Sequence, residues 1–486
     1  MKKSKEQKKI IKALESFNTI NVNSLSGTGK TTLLEAISIA NPDYSFLYIV
    51  FNKKNQIEAN ERFPTNTISK TINGLAYGFV RQNSNINLNF DNIINYTAKE
   101  ISTIYKISYG PAQAALDSLN NYCISDEIDF PEDNTIANKI FEDMKDNKIK
   151  ITHDFYVKFF QLMLFNNIVE LSYDFGLLDE SQDTNLVTLD IFKRINFNKR
   201  VYVGDKNQRI YSFRGSQDIF DLTDGKEYFL TETFRCHKDI SDVANIILSR
   251  FKDVENLLRS RISEKEKIKT EAFLSRTNSE LIKLMDDLMK KNKKFQTIRN
   301  PTFIFQLVID VYYFQNSQNY NIKNNHYLKD FRNPKELSEY AEEVNDRELL
   351  SAIKIVGTYG KKIFDIKKIA DKYFYDKITI FKIFLSTAHT SKGLEWDKVT
   401  ILEDFNLFSK LIVDSGYNTI KEFRKNIDFL PSEIVDEVNL YYIAITRAKY
   451  KLEMLGDAPL ELYLTDKEIN KKVKEMKNDK KNKKGK

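Results

Sequence analysis

This 486-residue sequence predicts two α/β domains with parallel sheets, each interrupted by a mainly helical insertion. Three observations carry that expectation. Short apolar runs alternate with helix-patterned runs in both the first and the last thirds of the chain, as strand–helix–strand units do. A glycine-containing loop at residues 24–32 joins the first apolar run to a helical one. Two stretches, ~82–168 and ~278–376, are helical in pattern and poor in strand signals.

Each element follows from its residues. Residues 5–17 read as a short amphipathic helix carrying Gln7. Residues 19–25 read as a strand and 32–40 as the helix after the loop. Residues 44–51 are apolar on both faces and too short for a buried helix, so they predict a buried strand. Residues 52–62 are helical, and 68–76 begin another strand–helix step. Beyond the first insertion, a strand at 173–178 ends in Asp179, Glu180, Ser181, Gln182 and Asp183. A strand at 200–203 runs into Gly204 and Asp205, and 228–231 leads into Glu232 and Arg235. The second alternation comprises strands at 270–274, 380–386 and 399–402, a helix at 435–449 and a strand at 451–455. No internal repeat has a solenoid period. The expected domains are therefore 1–81 with 169–231, and 232–277 with 377–465. The insertions are 82–168 and 278–376, and a basic tail covers 466–486.

Composition narrows the class. Hydrophobic residues make up 41% of the chain, enough for real cores, and the net charge of +7 permits a polyanionic partner without requiring one. The last twenty residues hold ten lysines and three acids, the pattern of a frayed basic helix or solvated arm, open to nucleic acid. Cys123 and Cys236 are too few and too far apart for a disulfide framework, which fits a reducing cytoplasm. The first residues lack the apolar core of a signal peptide, and no run reaches membrane-spanning length. Four histidines and two cysteines show no zinc-ligand spacing.

A loop between strand and helix leaves backbone N–H groups pointing at an anion. Here Gly27, Thr28 and Gly29 form it, Lys30 adds charge for the outer phosphates, and the Thr31 hydroxyl can ligate magnesium. Ser24 stands where the full phosphate-loop pattern has glycine. By themselves these residues also suit a plain strand–turn–helix. Asp179 and Glu180, at the end of a later parallel strand, supply what such a loop lacks: an acid for magnesium and a base for water. Arg235 and Arg447 are candidates to neutralise charge during phosphoryl transfer, and Phe234 can stack on a base. Tyr211, Phe213 and Arg214 put aromatics beside a cation, which suits single-stranded nucleic acid as well as a core.

The order of these segments closely resembles the UvrD/Rep-like superfamily 1 DNA helicases. They are Gly-Thr-Gly-Lys-Thr-Thr at 27–32, Leu-Asp-Glu-Ser-Gln-Asp at 178–183, Val-Gly-Asp-Lys-Asn-Gln at 203–208 and Leu-Thr-Glu-Thr-Phe-Arg at 230–235. Ser-Thr-Ala-His-Thr-Ser-Lys-Gly-Leu-Glu-Trp-Asp at 386–397 and Asn-Leu-Tyr-Tyr-Ile-Ala-Ile-Thr-Arg-Ala-Lys at 439–449 complete the set. The stretch 46–54, with Phe63, Pro64 and residues 71–77, looks most like the F-box DNA helicase branch. The chain's size and residues 233–236 are also similar to compact helicase subunits of the Gabija anti-phage system.

The resemblance implies two RecA-like domains with ATP between them and single-stranded DNA across them. It assigns Gln7 to adenine with Phe234 stacked on it, and residues Gly27, Thr28, Gly29, Lys30, Thr31 and Thr32 to phosphate. Thr31 and Asp179 hold Mg²⁺, Glu180 activates water, Gln208 senses the γ-phosphate, Arg235 and Arg447 neutralise it, and Glu395 faces the ribose. Phe51, Asn73, Tyr211, Phe213 and His389 lie along DNA. Relatives commonly carry His at Asn73 and Asn at Thr233. The implied activity is ATP-driven 3′→5′ translocation and strand separation on single-stranded DNA and single-strand/duplex junctions. A second class is an ATP- and DNA-sensing subunit that gates a partner nuclease or other protein, with little unwinding of its own.

Overall fold

The structure is a computed structural model describing residues 3–82, 88–91, 93–131, 135–212, 215, 219–343 and 346–484, with side chains as far as 479. It falls into two compact units, Met1–Glu232 and Thr233–Lys486.

The first unit is a six-stranded sheet. Its strands are β1 (Thr19–Ser24), β2 (Phe46–Val50), β3 (Thr67–Thr71), β4 (Ser172–Leu178), β5 (Asn196–Gly204) and β6 (Lys226–Leu230). They lie in the order β3-β2-β4-β5-β1-β6, and every pairing is parallel. The two-residue period explains why β2 is wholly apolar. Phe46, Tyr48 and Val50 enter one core with Val22, Leu33, Ile37 and Val203, while Leu47 and Ile49 enter the core on the opposite face. That second core is shared with the helical insertion. Its helices Ala98–Tyr105, Tyr109–Ile124, Thr135–Lys145 and His153–Phe165 bury Ile101, Leu119, Ile140 and Phe160 against Ile49, Leu178 and Tyr202 of the sheet. The insertion is thus continuous with the sheet's packing.

The second unit opens with β7 (Glu232–His237), which begins at the boundary and pairs with β8 (Arg259–Ile262). Its main sheet contains β9 (Glu271–Ser275), β10 (Gln296–Thr297), β11 (Ile383–Thr387), β12 (Trp396–Ile401) and β13 (Ala448–Met454). The order is β10-β11-β9-β12-β13, again all parallel. Strand β10 lies inside the stretch expected to be an insertion. Two residues are too short to leave a sequence period, but they extend the sheet edge beside β11. Helices Asn278–Lys290, Pro301–Gln315, Arg347–Tyr359 and Lys362–Tyr375 close a core on that face with Leu385.

The basic end is more ordered than its charge suggests. It forms the helix Asp466–Lys484, with Ile469 and Val473 buried. Lys472 pairs at 3.2 Å with Glu461, whose carboxylate also receives the Ser409 hydroxyl at 2.7 Å. Two apolar residues and one buried acid therefore dock the start of a segment that composition alone would leave in solvent. Among the described residues no helix is long and apolar enough to cross a membrane.

Candidate active site

Adjacent strands deliver the first unit's chemistry to one end of its sheet. β4, β5 and β1 are neighbours and parallel, so the loops after Leu178, Gly204 and Ser24 open together at the strands' C-terminal ends.

The loop after β1 holds itself in shape. Gly29 precedes the helix Lys30–Ala40 with φ of 83°, a left-handed conformation that a residue with a Cβ adopts only under strain. The Thr28 hydroxyl donates to the Leu25 carbonyl at 2.8 Å, which leaves Ser24 as the donor in their mutual 2.7 Å bond. Ser24 thus ties the loop at the position where the full pattern has glycine. Gln7 accepts the Ser4 N–H at 3.0 Å and donates to the Gly29 carbonyl at 3.3 Å. The residue that the resemblance assigns to adenine therefore also braces the loop. Thr31 and Thr32 occupy the first turn of the helix.

Charge converges on Lys30. Its Nζ lies 3.2 Å from Glu180 Oε2. Burial works against the ammonium, but Glu180, Asp205 and Asp179 outweigh it and raise its pKa. Glu180 itself sits at φ 48°, ψ 41°, a left-handed geometry costing on the order of 1–3 kcal/mol for a residue with a side chain. Its carboxylate also accepts the Gln182 amide at 2.6 Å. Asp179 is buried. One of its oxygens accepts the Tyr48 hydroxyl at 2.7 Å and the other the Glu180 N–H at 2.8 Å. Burial first, then Glu180, lifts the Asp179 carboxyl to about 6, against the pull of Lys30 and Tyr48. On β5's following turn, fully buried Asp205 accepts the Gln208 amide at 2.6 Å. Burial raises its pKa too.

These residues suit a nucleotide phosphate with magnesium. Among the described residues no cluster of three or more carboxylate, histidine or cysteine side chains is arranged to hold a metal. Magnesium does not require one, because it binds through one or two protein oxygens and completes its shell with phosphate and water. If magnesium binds here, Asp179 and the Thr31 hydroxyl are the oxygens that would hold it.

Phe51, just after β2 and 42% exposed, stacks on Tyr211 with ring centres 5.8 Å apart and planes 17° apart. Asn73 donates to the Tyr156 hydroxyl at 3.4 Å, which ties its helix to the insertion. Phe213 and Arg214 lie outside the described residues.

In the second unit Phe234 is exposed. Arg235 Nε donates to Glu395 at 2.7 Å, and Lys449 binds the other oxygen of that carboxylate at 2.8 Å. Burial opposes the Glu395 charge, yet Arg235 and Lys449 lower its pKa. Arg447 is fully buried. Its guanidinium donates to the Ile443 and Leu394 carbonyls at 3.0 and 3.2 Å and to the Thr446 hydroxyl at 3.1 Å. Burial, with Arg276 and Lys392 nearby, lowers the His389 pKa to about 4 against the pull of Glu437, so its imidazole is neutral at pH 7.

Tyr48, Gln182 and Asp205 make site contacts to which the sequence alone assigned no role. Gln182 and Asp205 lie inside the quoted motifs. Tyr48 carried a signal only as a polar tip on an otherwise apolar strand.

Residues 164–229 match the UvrD/REP helicase N-terminal domain. Over 93% of this chain and 49% of its own length, F-box DNA helicase 1 from Gallus gallus is 27% identical. F-box DNA helicase protein 1 from Schizosaccharomyces pombe is 26% identical over 94% of this chain and 58% of its own length. A probable DNA helicase II homolog from Mycoplasma genitalium is 26% identical over 54% of this chain and 46% of its own. The chain spans about half the length of these curated relatives. The chain is thus similar to the UvrD/REP helicase N-terminal domain over part of its first unit, and to the two F-box DNA helicases along nearly its whole length.

Proposed function

We propose that the chain hydrolyses Mg-ATP and uses the energy to move 3′→5′ along single-stranded DNA and separate strands. One observation carries the hydrolytic part: Lys30 and Glu180, from the loops after β1 and β4, meet at 3.2 Å beside buried Asp179. The loop N–H groups and Lys30 bind phosphate. Thr31 and Asp179 hold magnesium, which when bound supplies positive charge to the phosphates. The Glu180 carboxylate orients water and takes its proton. Gln208 reports on the γ-phosphate, and Arg235 and Arg447 offset charge that grows as the phosphoryl group transfers. Gln7, Phe234 and Glu395 serve the nucleoside.

The DNA part rests on the relatives named as DNA helicases and on exposed Phe51 stacked on half-buried Tyr211, an aromatic surface on which any base can stack. Asn73, Phe213 and His389 are proposed along the same strand. The test is ATP turnover with and without single-stranded DNA, together with displacement of a duplex carrying either a 3′ or a 5′ tail. DNA-stimulated turnover and displacement only from the 3′ tail are expected. Turnover indifferent to DNA would remove the motor reading. Stimulated turnover without displacement would mark a switch that gates a partner.

A further inference from the structure

Gln182 has both ends of its amide in use, and the two ends face different parts of the site. Its Nε2 donates to Glu180 Oε2 at 2.6 Å, while its Oε1 accepts the Asp205 N–H at 2.9 Å. The side chain is fully buried. The neighbouring strand makes room for it, because a Cβ on Gly204 would overlap Gln182 Oε1 and lie 2.5 Å from the Ser181 hydroxyl. Glycine at 204 is thus a condition of the bridge.

From Asp205 the chain of contacts continues. Asp205 accepts the Gln208 side chain at 2.6 Å and, through its carbonyl, the Gln208 N–H at 2.8 Å. Three residues on, Tyr211 stacks on Phe51. One amide therefore joins the carboxylate at the end of β4 to the turn that leads into the aromatic pair.

We propose that Gln182 is a positioning residue that makes the placement of Glu180 depend on the Asp205–Gln208 turn, so that DNA on the Phe51–Tyr211 pair sets the rate of hydrolysis. This rests on the hydrolytic reading of Glu180 and on the proposed DNA contact at Phe51 and Tyr211, and adds to them a route by which DNA would stimulate turnover. The strain at Glu180 suits such a role. A left-handed glutamate is held by its partners, and Gln182 is the partner that also feels the turn.

The experiment measures ATP turnover of the full chain with and without a thymidine homopolymer, together with melting temperature. It compares wild type, Gln182→Ala, Gln182→Glu and Gly204→Ala, with Glu180→Gln as reference. The Gln182→Glu variant keeps an acceptor for the Asp205 N–H but loses the donor to Glu180. Gly204→Ala leaves Gln182 in the sequence and displaces it. Each is expected to lose roughly 10- to 100-fold in DNA-stimulated kcat, as loss of a hydrogen bond to a charged group does. KM for ATP should stay within about twofold, because the phosphate ligands remain. The ratio of stimulated to basal turnover should fall toward one. The double variant Gln182→Ala/Gly204→Ala should be no worse than either alone, since both break one bridge.

Full stimulation in Gln182→Glu would overturn the proposal. So would basal and stimulated rates falling in equal proportion as the melting temperature falls, the mark of a brace that only supports the fold. An inactive wild type, or a Glu180→Gln variant with wild-type turnover, would overturn the hydrolytic reading itself and this proposal with it. Neither result comes from the Gln182 variants, so the two failures are distinguishable.

Discussion

Lys30 Nζ sits 3.2 Å from Glu180 Oε2, so the loop's ammonium and the strand-end carboxylate neutralise each other within the first unit. Glutamine at 180 keeps the shape and an oxygen for Lys30 but cannot take a proton. Glu180→Gln should therefore bind a fluorescent ATP analogue within a few-fold of wild type while turnover falls by roughly 10²-fold or more, the range for loss of a general base. Turnover near the wild-type rate would place the base elsewhere.

Much of this site was legible because its parts are contiguous in sequence. Residues 27–32 and 178–183 each carry their chemistry within a few positions, and the strand–helix alternation places both at strand ends. Strand edges came within a few residues: β2, expected at 44–51, is Phe46–Val50. What stayed hidden depends on strand order. Tyr48 reaches Asp179 because β2 pairs with β4, and Gln182 reaches Asp205 because β4 pairs with β5. No local period encodes which strands become neighbours. The docking of the tail helix stayed hidden for another reason. Ile469 and Val473 are two apolar residues among lysines, too few to outweigh the charge signal yet enough to dock a helix.

The two arginines of the second unit should behave differently. Arg235 is partly exposed, and Glu395 keeps Lys449 if the arginine is lost. Arg235→Ala should cost under about 1 kcal/mol of stability, as exposed ion pairs do. Arg447→Ala leaves the buried Ile443 carbonyl and the part-buried Leu394 carbonyl without that donor, at a cost of roughly 2–4 kcal/mol. On their proposed role at the phosphates, both should lower turnover per folded molecule more than ATP affinity, because charge there would matter most in the transition state. Denaturant melts and steady-state kinetics on both variants check this. An Arg235→Ala protein with wild-type kcat would lose its place at the phosphates.

Phe51 is exposed and stacked on Tyr211, so removing its ring should disturb DNA more than the fold. Phe51→Ala should weaken single-stranded DNA binding roughly 5- to 150-fold, the worth of about one stacked base. Loss of the ring pair should lower stability by no more than about 1.5 kcal/mol. Affinity of wild type and variant alike should fall as salt rises, because backbone contacts by lysine and arginine release counterions. Fluorescence anisotropy with a labelled oligonucleotide measures both effects, and unchanged affinity would make the aromatic pair a surface ornament.

His389 gives the second unit an acid-sensitive point. Burial, Arg276 and Lys392 hold its pKa near 4, below the ordinary 6.5, and Glu437 only partly offsets them. Arg276 is itself bound to Glu437 at 2.7 Å, which blunts that carboxylate's help. The unfolded chain therefore binds a proton at this residue more readily than the folded one. The stabilising difference is complete above about pH 6.5 and is lost as pH falls toward 4. A shift from 6.5 to about 4 corresponds to at most about 3 kcal/mol. Because several carboxylates titrate in the same range, the informative quantity is the difference between wild type and His389→Gln. That variant should lose less stability between pH 7 and pH 4, so the gap between the two proteins should narrow or reverse as the solution is acidified. Parallel loss in both proteins, measured by urea denaturation across that range, would mean that His389 is not held neutral in the folded unit.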